Sequence, residues 1–155
     1  MNRFKVGVIS DTHGLIRKEA LNALKGVDLI IHAGDVGKFE VIEELKKIAP
    51  VYSVQGNCDK GELKDILPKK EVVEVGQILI YLLHNIEDLD LEPEAAGIKV
   101  VITGHSHKPS ITIKNNTVYL NPGSAGPKRF KLPVTVGILD IDREKVDPKI
   151  IELVN

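Results

Sequence analysis

The 155-residue chain contains one cysteine, one methionine and no tryptophan, and only 4% of its residues are aromatic. A single cysteine cannot close an internal disulfide, so nothing in the sequence points to an oxidising compartment. Charge of one sign is lacking too: the formal net charge is -1, which argues against nucleic-acid binding by bulk electrostatics and against a stable nucleic-acid complex. No apolar run reaches membrane-spanning length, and the opening MNRFKVGVIS is too short in apolar residues for a signal segment. Linkers, low-complexity tracts and internal repeats are missing as well. What remains is 43% hydrophobic and 28% charged, ordinary usage for a globular protein. The expectation is one cytoplasmic domain spanning residues 1–155, with no membrane partner.

The first half of the chain alternates strand-like and helix-like segments. FKVGVIS (Phe4–Ser10), DLIIHAG and VYSVQG read as strands. RKEALNALKG (Arg17–Gly26) and KFEVIEELKKIAP (Lys38–Pro50) read as helices, stopped by glycine and proline respectively. Such alternation predicts βαβ units and a parallel sheet. In the second half, KEVVEVGQILIYLLH predicts two strands joined at Gly76, and SITIKNNTVYLN predicts a hairpin turning at Asn115–Asn116. Two sheets face to face, flanked by helices, are expected, with room for only a short crossover helix between Leu83 and Ile98.

The polar residues fall at the ends of the apolar strands. VGVIS runs into Asp11-Thr12-His13, LIIHAG into Asp35, VYSVQG into Asn57, ILIYLL into His84, and VVITG into His105-Ser106-His107. Ligands gather at this edge of α/β sheets because the loops there are free to carry chemistry. Each fragment alone is ordinary: a turn, a cap or a surface histidine. Together, two carboxylates, four imidazoles and an amide oxygen suit borderline divalent ions. Seven donors exceed the needs of one tetrahedral ion but suit two ions sharing a carboxylate. His32 lies inside its strand and reads as a buried histidine that orients a neighbour.

The series Asp11-Thr12-His13, Gly34-Asp35, Gly56-Asn57, His84 and Gly104-His105-Ser106-His107 resembles the calcineurin-like metallophosphoesterases. The NPGSAGPKR segment (Asn121–Arg129) and the short chain are similar to the small single-domain phosphodiesterase branch. The resemblance implies a four-layer α/β/β/α sandwich of two mixed sheets flanked by helices. It implies one ion held by Asp11, His13, Asp35 and His107, and a second by Asp35, Asn57, His84 and His105, with Asp35 as the bridge. Mn²⁺ is expected first, with Ni²⁺, Co²⁺, Fe²⁺ or Zn²⁺ as alternatives.

The activity implied is hydrolysis of a small phosphoester, a phosphodiester by preference, through in-line attack of a hydroxide bridging two ions roughly 3.5–4 Å apart. The alternative is a non-catalytic binding scaffold that resembles the retromer subunit. A homodimer is left open. Many relatives have histidine where this chain has Cys58, so Cys58 is expected to be at most a weak aid on the leaving-group side. Substrates with low-pKa leaving groups should then react best. Asp59 is expected to orient a neighbouring group.

Overall fold

The computed structural model describes residues 3–129 and 131–153. Strands β1 (Arg3–Ile9), β2 (Leu29–His32) and β3 (Val51–Ser53) alternate with helices α1 (Lys18–Ala23) and α2 (Phe39–Lys46). Helix α3 (Glu62–Ile66) follows, an element the sequence patterning does not predict. Then come β4 (Lys70–Val75), β5 (Ile78–Leu83), β6 (Val100–Ile102), β7 (Ser110–Lys114), β8 (Thr117–Asn121), β9 (Thr135–Asp142) and β10 (Lys145–Glu152).

The strands form two mixed sheets, ordered β10-β9-β1-β2-β3 and β4-β5-β6-β8-β7. Strands β1, β2 and β3 run parallel, as do β5, β6 and β8, while β9, β10, β4 and β7 pair antiparallel to their neighbours. Side-chain alternation explains how the sheets stack. Val6 and Val8 on β1 join Ile80 and Leu82 on β5 and Val100 and Ile102 on β6 in a buried cluster between the sheets. The opposite face of the first sheet, with Ile9, Ile30 and Ile138, packs under the helices through Leu24, Val41 and Leu45.

The four expected layers are present, the outermost one reduced. Over the second sheet the covering layer is a single 3-10 turn (Ile86–Asp88) and the segment after it, whose Leu89 and Leu91 pack on Tyr81, Leu83 and Val101. The helices of the first half are shorter than their sequence patterns, because each ends in a tighter turn before its glycine or proline. Gly26, with φ of 84°, makes the turn after α1.

The two predicted hairpins form. β4 and β5 meet at Gly76, and β7 and β8 turn through Asn115 and Asn116. These asparagines have φ of 51° and 63°, as a two-residue turn matched to the strand twist requires.

Candidate metal centre

The C-terminal ends of β1, β2 and β3 in one sheet and of β5 and β6 in the other open at one end of the sandwich. Asp11 and His13 follow β1, Asp35 follows β2, Asn57 follows β3, His84 follows β5, and His105 and His107 follow β6. The structure brings all seven together. Asp11, His13 and His107 offer ligand atoms within 4.8 Å of one another, as do Asp11, Asp35 and His84.

Backbone geometry aims these groups. Asp11, His13, Asp35, His105 and His107 all have positive φ, between 48° and 72°. This left-handed conformation is tolerated by aspartate and histidine but still costs about 1 kcal/mol or more per residue. Neighbouring amides hold it in place: Asp11 donates to the Gly34 carbonyl at 3.0 Å and His13 to the Asp35 carbonyl at 2.9 Å. The loops then sit so close that side chains are excluded. A Cβ on Gly34 would lie 2.7 Å from His84 Nδ1 and 2.9 Å from the Gly56 amide nitrogen.

The hydrogen bonds separate the committed atoms from those left over. Asp11 Oδ2 accepts from the Ser10 hydroxyl at 2.7 Å and the His105 amide at 3.1 Å. Its Oδ1 is buried without a hydrogen-bond partner and lies 3.4 Å from His107 Nε2. Asp35 Oδ1 accepts from the Cys58 amide at 2.8 Å, leaving Oδ2 at 3.2 Å from His84 Nε2 and 3.8 Å from His13 Nε2.

His84 is the informative ligand. Its Nδ1 sits 2.7 Å from the Ala33 carbonyl, which can only accept, so Nδ1 carries the proton. Nε2 then faces Asn57 Oδ1 at 3.0 Å and Asp35 Oδ2, both oxygen acceptors. His105 Nδ1 approaches the same Asn57 oxygen at 3.2 Å. Lone pairs converging on one point call for a cation, a proton or a metal ion. The donor set therefore fits divalent metal: carboxylates, imidazoles and an amide oxygen, with no amine among them.

Titration follows the same logic. Burial alone would push the Asp35 carboxyl up, but the His84 imidazole, the Cys58 amide and the His13 ring together hold it down at about 2. Burial raises Asp11 despite its Ser10 hydrogen bond and the nearby imidazoles. His84, which burial would lower, is raised by Asp35, the Ala33 carbonyl and Asp11. His107 is lowered by burial, with Asp11 opposing and Arg129 assisting.

Around the ligands lies a shell that only partly shows in the sequence. Asp59, 4% exposed, accepts from the Val36, Gly37 and Gly56 amides at 3.2, 3.0 and 2.9 Å, clasping the loop of Asp35 to the loop of Asn57. His32 is fully buried and held neutral: burial and the field of His84 push its pKa down to about 3. The Gly34 amide donates to His32 Nδ1 at 3.1 Å, so Nε2 donates to Thr12 Oγ1 at 2.9 Å, and the Thr12 hydroxyl donates to the Val36 carbonyl at 2.9 Å.

Ser124, within the NPGSAGPKR segment, donates its hydroxyl to the Asp11 carbonyl at 3.1 Å and braces the β1 loop. Cys58 is exposed, with its sulfur within 4.8 Å of ligand atoms on His13 and Asp35. Ser10 carries no motif, and Asn121 opens the NPGSAGPKR segment without a role the sequence assigns. Asn121 donates to the Gly104 carbonyl at 2.9 Å and the Ser106 hydroxyl at 3.1 Å, steadying the His105–His107 turn.

A larger cavity, about 860 Å³, lies at the far end of the sandwich among Arg3, Lys5, Asn116, Asp142, Lys145 and Asp147. Its lining has no histidine and its charges alternate in sign, so the chemistry belongs to the ligand end.

Comparison with known proteins agrees with this geometry. The chain is 36% identical over 161 residues to a probable metallophosphoesterase of Methanothermobacter thermautotrophicus, covering 94% of this chain and 91% of that one. A solved archaeal phosphodiesterase superposes with a TM-score of 0.81 at 27% identity, covering 96% of this chain and 99% of that one. The vacuolar protein sorting 29 structure of Cryptosporidium parvum shares the fold, with a TM-score of 0.78 at 20% identity and full coverage of both chains. The profile of the calcineurin-like phosphoesterase superfamily domain matches residues 4–144, and with it the chain belongs to that superfamily.

Proposed function

We propose that the chain is a phosphodiesterase that works with two divalent ions, Mn²⁺ first among Mn²⁺, Ni²⁺, Co²⁺, Fe²⁺ and Zn²⁺. The observation that carries this is the convergence of Asp11 Oδ1, Asp35 Oδ2, Asn57 Oδ1 and His84 Nε2 without enough protons to satisfy them. Asp11, His13, Asp35 and His107 would hold one ion and Asp35, Asn57, His84 and His105 the other. When bound, such ions supply a water of lowered pKa and a positive field for phosphoryl oxygens.

The protein's own groups do the rest. Asp35 would serve both ions: one of its oxygens is fixed by the Cys58 amide while the other faces both His13 and His84. Asn57 contributes oxygen without charge, so less of the positive field is cancelled than a third carboxylate would cancel. Asp59 acts as a positioning residue through three backbone amides.

The Cys58 thiol is pushed up by partial desolvation and by the Asp35 carboxylate, which keeps it protonated at neutral pH. A protonated thiol is a poor nucleophile and a weak acid, so leaving groups that need little protonation are favoured. The likeness to an archaeal phosphodiesterase supports the diester reading. A binding scaffold on the same fold is the second reading, and the complete donor set favours hydrolysis over it.

Chelator-treated protein is expected to lose activity on bis-p-nitrophenyl phosphate and to regain it with Mn²⁺ or Co²⁺. Metal analysis should count two ions per chain. Asp35→Ala should lower both the ion count and the rate, the rate on the order of a thousandfold. In the same panel, aryl esters should outrun alkyl esters, and Cys58→His should narrow that margin. Unchanged activity in Asp35→Ala, or fewer than two ions on the wild type, would overturn the binuclear reading.

A further inference from the structure

A second cavity, about 420 Å³, adjoins the ligand cluster where the loop after β3, the start of β4 and the end of β5 meet. Asn57 and His84 belong to both the cluster and the cavity wall. From them the wall runs past Gln55 and Asn85 to Lys69 and Asp88. A group placed at the metal ligands therefore has a neighbouring chamber for one of its substituents.

The wall has a definite chemistry. No phenylalanine, tyrosine or tryptophan lines it, and its one ring, the His84 imidazole, is engaged by the Ala33 carbonyl, Asn57 and Asp35, so the wall is poorly suited to stacking a nucleobase. Gln55 spends its amide protons on the Lys64 and Leu67 carbonyls, at 2.8 and 2.6 Å, and so is held rigid. Asn85 uses its oxygen on the Glu87 amide at 3.0 Å, which leaves its own N–H groups free to donate.

The two lysines differ sharply. Lys70 is committed, donating to the Asp88 carbonyl at 2.8 Å and pairing with Asp90 at 3.1 Å. Lys69 lines the cavity and makes no ion pair or side-chain hydrogen bond among the described residues. Asp88 puts one carboxylate on the same wall, a partner for a hydroxyl and not for an anion.

We propose that this cavity takes one ester arm of a phosphodiester, that the arm is hydroxylated and carries a second anionic group, and that Lys69 selects for that group. The substrate class is a diester with a sugar-acid, glycerate or sugar-phosphate arm. The proposal rests on the phosphodiesterase reading and deepens it. Coulomb attraction to an uncommitted ammonium beside a cavity wall is stronger than in open water, and salt weakens it. Lys69 touches the arm and not the reacting phosphorus, so its effect is on discrimination between arms.

Three p-nitrophenyl diesters separate the possibilities: p-nitrophenyl 3-phosphoglycerate with an anionic, hydroxylated arm, p-nitrophenyl phosphorylcholine with a cationic arm, and bis-p-nitrophenyl phosphate with an uncharged one. The metal-loaded wild type should show the highest kcat/KM on the glycerate ester. Lys69→Ala should lower that value about tenfold, mainly through KM, while leaving bis-p-nitrophenyl phosphate within about twofold. Lys69→Glu should reverse the order of the glycerate and choline esters. Lys69 is exposed, so neither variant disturbs the core. An unchanged glycerate-to-choline ratio, or an equal loss on all three esters, overturns the proposal while leaving the phosphodiesterase reading intact. A wild type inactive on all three removes both.

Discussion

At one end of the sandwich Asp11, His13, Asp35, His105 and His107 hold positive φ, and at the other Asn115, Asn116 and Arg143 do the same. The backbone conformation is shared; its surroundings are not. The asparagines and Arg143 sit in exposed two-strand turns, where the conformation only reverses the chain. The ligand-end residues are locked by amides from other loops and by glycines too crowded for a Cβ. A turn residue is interchangeable when nothing depends on where its side chain goes. At the ligand end every side chain must arrive at the same few ångströms.

The largest break in that contrast should come from Gly56→Ala, because a Cβ there would collide with the Asp35 carboxylate and its backbone amide. Displacement of the Asp35 carboxylate by even about 1 Å should cost at least about a hundredfold in rate, and metal analysis should show less metal bound. Full activity in a folded Gly56→Ala protein would mean that the loops are not locked.

A smaller effect, on stability, comes from His32. Between its ordinary value near 6.5 and its folded value of about 3, the unfolded ring holds a proton that the folded ring refuses. Stability of the metal-free protein should therefore fall with pH below 6.5, by up to about 1.4 kcal/mol per unit from this group. The raised His84 contributes in the opposite sense, a contribution kept as pH falls, while the lowered His107 acts in the same direction as His32. The lowered Asp35 loses its contribution only below 3.8, so the His32 share is the difference between wild type and a His32 variant. Denaturant melts of wild type and His32→Gln from pH 4 to 7 read the difference; parallel slopes would count against the assignment.

The smallest effect belongs to the far end. Asn116→Gly should change stability by no more than about 0.5 kcal/mol and leave turnover alone, since glycine accepts the same φ. A marked loss of activity there would erase the distinction between the two ends.

Much of this site could be read from the sequence because each ligand follows an apolar strand. Asp11, Asp35, Asn57 and His84 announce themselves by ending such runs, and parallel strands deliver their ends to one place. The bracing was harder to see. His32 reads as a buried histidine from its place inside a strand, but which loops it fixes, those of Thr12 and Gly34, emerges only from its two hydrogen bonds. The NPGSAGPKR segment shows a turn but not that the Ser124 hydroxyl braces Asp11, because which way a hydroxyl in a turn points depends on the strand it packs against. Lys69 resembles any solvated lysine, and only the cavity beside it distinguishes it from Lys70. Helix α3 has five residues, too few for a helical period to emerge from the pattern. The covering layer of the second sheet is irregular for its length and carries no period at all.

The bond from the Ser124 hydroxyl to the Asp11 carbonyl joins residues 113 apart, and the His105 amide reaches back 94 positions to the Asp11 carboxylate. Nearly the whole chain must be threaded before the first ligand is braced. The full donor set needs both sheets: Asp11, His13, Asp35 and Asn57 follow strands of the first, and His84, His105 and His107 follow strands of the second. Capture of metal by the complete set would therefore wait on the entire fold, since loops with such distant closures form late. Metal bound there would act as a latch on a finished structure, its stabilising effect felt by both sheets at once and not by a single loop.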